Sequence, residues 1–95
     1  MLIYYKAVLE NFNEDKFFID SLINSQIIWE KFRKSNYNAV YTHWRDGSIR
    51  GITTLQSDLR VIQQRTHELW ESYLTHESQY PILPEPSFDQ ISFEE

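Results

Sequence analysis

Two stretches of this chain repeat apolar residues at helical spacing, which makes any fold it adopts helix-rich. Phe18, Leu22, Ser25, Trp29 and Phe32 recur three or four residues apart, and Ile19, Ile23 and Ile28 widen the stripe. That spacing predicts a helix from about Glu14 to Arg33. Asn11, followed three residues later by Glu14, has the form of an N-cap, and Glu14 and Asp15 suit the positive end of the helix dipole. Lys31, Arg33 and Lys34 sit at the other end, where cations are favourable. In the second stretch Leu55, Leu59, Ile62, Thr66, Leu69 and Tyr73 are spaced 4, 3, 4, 3, 4. This is a heptad-like seam in a helix from about Thr54 to Thr75, with Thr53 and Gln56 as a capping box. An amphipathic helix on its own core accounts for the seam. A homodimer through the 55–73 helix is the alternative, and Thr66 interrupts the seam either way.

The segment between the two helices is ambiguous. Asp46-Gly47 is a good two-residue hairpin turn, because glycine accepts positive φ and aspartate tolerates it. Its flanks, AVYTHW and SIRGITT, are rich in β-branched and aromatic residues. Tyr37, Val40, Tyr41 and Trp44 fit a helical face just as well, with Gly47 as C-cap. At the start of the chain, Leu2, Tyr5, Leu9 and Phe12 suit a helix, whereas the residue types and the position suit a strand. The expectation is therefore an α+β fold: a small helix-rich β-α-β-β-α domain, with an all-α, four-helix arrangement as the alternative.

Ninety-five residues make one domain, expected to be compact over residues 1–77. Residues 78–95 form an extended C-terminal tail by this reading, since Pro81, Pro84 and Pro86 exclude a regular element there. Tyr80, Ile82, Leu83, Phe88, Ile91 and Phe93 alternate with acidic residues in that tail, which points to a strap that docks on its own domain or on a partner. Aromatic content is 16%, more than so small a core needs, and Tyr and Trp are enriched at interfaces.

Charge is sorted along the chain. Residues 1–30 carry two cations against five carboxylates, residues 31–65 seven against two, and residues 66–95 none against seven, for a formal net charge of −5. A basic middle between acidic ends is a feature a partner can read. Chemistry is otherwise sparse. The absence of cysteine removes disulfides, thiolate catalysis and Cys-based zinc sites. His67 opens the segment HELWE, but Glu71 stands where a zincin needs its second histidine, so no metal is expected. Ser48 beside His43 and Asp46 lacks an oxyanion element, and two glycines build no phosphate-cradling loop. No catalytic residue and no cofactor is assigned. The N-terminal MLIYYKAVLE lacks the form of a signal peptide, and no apolar run reaches membrane-spanning length, so a cytoplasmic protein is expected.

The best functional lead is the basic-aromatic middle. Arg45 and Arg50 flank the proposed turn, with Tyr37, Tyr41, His43 and Trp44 beside them. Arg, Tyr and Trp dominate protein–protein hot spots. The expectation is a small non-enzymatic protein-binding regulator, inhibitor or accessory subunit of a larger protein or complex. Its partner-binding residues would be Arg45, Arg50, Trp44, Tyr41, Phe88 and Phe93. The alternative is a nucleic-acid-associated protein using residues 31–65, because arginines with stacking rings also suit single strands.

Overall fold

The computed structural model describes residues 1–75 and 83–88. It consists of three helices, α1 (Leu2–Asn11), α2 (Lys16–His43) and α3 (Arg50–Tyr73), with no strand among the described residues. The α+β, β-α-β-β-α expectation is thereby overturned, and the all-α alternative fits, with three described helices in place of four. The molecule is elongated, with extents of 50 × 29 × 15 Å.

The corrections have identifiable causes. A two-residue hairpin turn needs positive φ, and neither glycine adopts it. Residues 38–43 instead continue α2, and the chain turns through successive tight bonds: Arg45 N–H to Thr42 O, Gly47 N–H to Trp44 O and Arg50 N–H to Gly47 O. An isolated two-stranded ribbon is marginal in water. Extending α2 lets Asn36 reach α3 and keeps Val40 and Trp44 half-buried. The N-terminal strand is likewise a helix, whose Val8 is fully buried. Asp15, rather than Asn11, caps α2 by accepting the Phe18 N–H at 3.1 Å. Thr53 is no cap, since α3 already begins at Arg50.

The core lies at one end of the α2–α3 hairpin. Val8, Leu22, Leu69 and Leu74 form its centre, with Tyr4, Tyr5, Phe12, Phe18, Trp70 and Tyr73 packed around them. Phe18 meets Phe12 edge-on at 5.0 Å and Tyr73 at 5.1 Å. Thr66, the interruption in the α3 seam, is buried here, and its hydroxyl donates to Ile62 O at 2.8 Å.

Away from this end the hairpin is held by polar contacts. Buried Arg65, 7% exposed, donates to Gln26 Oε1, Ser25 Oγ and Glu68 Oε1. Farther out, Arg33 grips Asp58 through two bonds of 3.0 Å, and Asn36 donates to Ser57 Oγ. Val61 is the one buried aliphatic side chain in the outer part of α3.

Candidate functional site: the open face of the hairpin

Helix length decides what α1 can cover. Its ten residues span about 15 Å, against about 36 Å for the twenty-four of α3. α1 packs on α3 at the core end, where Thr66 and Leu69 are buried and Tyr73 is half-buried. The same stripe continues along α3 through Ile62 and Leu59, both half-buried, to Leu55, which is 47% exposed; Ile52 beyond it is 61% exposed.

α2 presents a matching stripe. Gln26 approaches Met1 Sδ, at the start of α1, at 3.9 Å. Glu30, Tyr37 and Tyr41 follow Gln26 at helical spacing on this face of α2. Tyr37 and Tyr41 stack with their rings 15° apart and centroids at 6.2 Å, and both are exposed. Between the two stripes lies a shallow hollow of about 270 Å³, lined by Glu30, Arg33, Lys34, Tyr37 and Asp58. The hydrogen bond to Asp58 holds the Arg33 guanidinium above its ordinary range, against desolvation, and the charges of Asp58 and Glu30 add to this. The hollow thus has Tyr37 on its α2 side and the Arg33–Asp58 ion pair joining the two helices across it.

The residues singled out by sequence fall in two places. Tyr41, Trp44, Arg45 and Arg50 gather at the α2–α3 turn. Arg50 Nε donates to Tyr41 O at 3.1 Å, and its guanidinium carbon lies 3.3 Å from the Tyr41 ring centroid. Arg45 Nη1 donates to Thr42 O at 3.0 Å. Both arginines therefore satisfy carbonyls in the last turn of α2, a structural task that explains their position. Trp44 is the C-cap of α2, half-buried, with its ring edge-on to His43 at 5.3 Å. Phe88 is half-buried on the strap, which contacts α3 at His67 and Trp70, about 25–30 Å along the helix from Arg50. Phe93 lies outside the described residues.

Sequence reasoning placed Leu55 in the α3 seam, as core or as a dimer contact, and gave Ile52 no surface role. Their exposure depends on the shortness of α1, which a stripe on α3 does not reveal. Among the described residues no cluster of three His, Asp or Glu is arranged to hold a metal ion, and no helix is long and apolar enough to cross a membrane. Searches of family models, curated proteins and solved structures give no significant match to this chain.

Proposed function

We propose that this chain is a non-enzymatic protein-binding module whose open hairpin face receives an amphipathic helix from a partner protein. The observation that carries this reading is the stretch beyond α1, where Ile52 and Leu55 remain exposed along the α3 stripe that α1 packs on at the other end, with Tyr37 and Tyr41 exposed on α2. A third helix is the element that completes such a groove, and apolar anchors at i, i+3, i+4 and i+7 are how helices fill one. Lys34 and Glu30 at the rim offer both signs of charge for setting the orientation of the incoming helix. A regulator or accessory subunit acts through a surface of this type.

The basic block of residues 31–65 contributes less to a polyanion surface than its net charge suggests. Arg33 is paired with Asp58, Arg65 is buried, and Arg45 and Arg50 are turned to the backbone of α2. This favours the protein-binding reading over the nucleic-acid one. The test compares partners captured by the full chain and by Leu55→Asp. Binding that depends on the face is expected to fall at least about tenfold in the variant, with a shallow salt dependence. A steep linear loss of log affinity with log salt, insensitive to Leu55→Asp, supports the nucleic-acid reading instead.

A further inference from the structure

Three consecutive residues of the strap are each held by a different side chain of the helical body. Trp70 Nε1 donates to Leu83 O at 2.8 Å, Tyr4 Oη donates to Pro84 O at 2.8 Å, and His67 Nε2 lies 2.9 Å from Glu85 Oε2. The Leu83 side chain packs on the core cluster. The three holding residues come from two elements, Tyr4 from α1 and His67 and Trp70 from α3. His67 Nδ1 also faces Glu71 Oε2 at 3.4 Å, which orients the ring toward the strap.

These contacts combine the elements that a peptide-recognition site uses. Two of the contacts go to main-chain carbonyls, which any extended peptide presents. The third reads an acid, and the Leu83 site reads an apolar side chain. Leu83 and Glu85 each precede a proline, which biases both toward extended backbone. Such a run is pre-ordered, so little entropy is lost when it docks. Aromatic donors lining a groove for a proline-containing segment form one of the recurring modes of peptide recognition.

We propose that the Tyr4–His67–Trp70 surface is a peptide-recognition groove for the pattern apolar-Pro-acidic-Pro. Leu83–Pro84–Glu85–Pro86 occupies it in cis, and a partner protein's segment of the same chemistry displaces that strap. The groove is separate from the open hairpin face, and neither assignment depends on the other. Tethering raises the effective concentration of the strap to about the millimolar range, so only a tighter or locally concentrated segment displaces it.

The experiment uses full-length protein and a fluorescein-labelled synthetic peptide of residues 80–88, read by anisotropy. Leu83→Asp loosens the strap from within, and Glu85→Lys does so without touching the apolar site. Both variants are expected to bind the peptide at least about tenfold more tightly than the wild type, whose own strap competes. Adding Trp70→Phe or Tyr4→Phe, which keep the ring and remove one donor, is expected to weaken peptide binding about fivefold. Failure of both folded strap variants to bind the peptide would overturn the proposal, and so would indifference to both donor deletions. A wild-type dimer in sedimentation at tens of micromolar, dissolved by Trp70→Phe, would overturn the cis arrangement in favour of strap exchange between copies.

Discussion

Arg33 on α2 and Asp58 on α3 meet through two parallel hydrogen bonds of 3.0 Å, with Asp58 only 13% exposed. A two-point guanidinium–carboxylate contact fixes both the spacing and the register of the hairpin where aliphatic packing is thin. Asp58→Asn is expected to lower stability by about 1–2 kcal/mol in urea unfolding, because Arg33 keeps its charge but loses the countercharge and one of its two acceptor oxygens, which an NH2 donor replaces. The guanidinium is held above its ordinary value, so its contribution is present below that pKa and lost only as pH rises through it. Arg33 itself should therefore add no pH dependence between about pH 6 and 10.

Arg65 is the second polar staple. It is buried and reaches three acceptors on two helices, on Ser25, Gln26 and Glu68. Arg65→Lys keeps the charge but cannot reproduce the planar fork, and a loss of about 1–2 kcal/mol is expected. Arg65→Ala, which also removes the buried stem, should cost about 2–3 kcal/mol. Thermal unfolding followed by circular dichroism checks the order of the two.

The glycines give a test of the turn. Gly47 has no positive φ, and a Cβ there would meet Trp44 O at 3.4 Å and the Trp44 ring at 3.6 Å, which is ordinary contact. Gly51 lies in the first turn of α3 with open space around it. Gly51→Ala should stabilise the protein by about 0.5–1 kcal/mol, and Gly47→Ala should be neutral or mildly stabilising. A loss well above 1 kcal/mol at Gly47, of the kind a positive-φ hairpin turn gives, would contradict the helical turn.

Leu83 ties the strap to the core, so its truncation should be felt by the whole fold. Leu83→Ala is expected to cost about 1–2 kcal/mol, less than a fully buried leucine because the side chain is half-exposed. A midpoint unchanged in urea would mean that the strap contact adds nothing to stability.

Much of the helical scaffold was legible in sequence. The stripe of Phe18, Leu22 and Trp29 and the seam ending in Leu69 and Tyr73 mark α2 and α3, with α2 running ten residues farther than its clearest stripe implied. The misreading of residues 38–52 arose because Val40, Tyr41, Thr42, Ile49 and Ile52 are good strand residues individually. Contacts between α2 and α3 outweighed those preferences. The same tertiary dependence hid the open face. Leu55 and Leu69 are equivalent in the seam, and only the length of α1 makes one exposed and the other buried. The contacts of Arg45 and Arg50 with the last-turn carbonyls of α2 could not be read from the sequence, which left that end of the helix open.

Site-specific photocrosslinking tests the open face most directly. Benzoylphenylalanine would replace Leu55, Tyr37 or Gln64, one at a time, in the full chain. Gln64 is exposed and lies nine residues from Leu55, two and a half turns away on the opposite side of α3. The account predicts that positions 55 and 37 capture one and the same partner protein and that position 64 does not. Equal capture from all three positions, or capture from 64 alone, would contradict it.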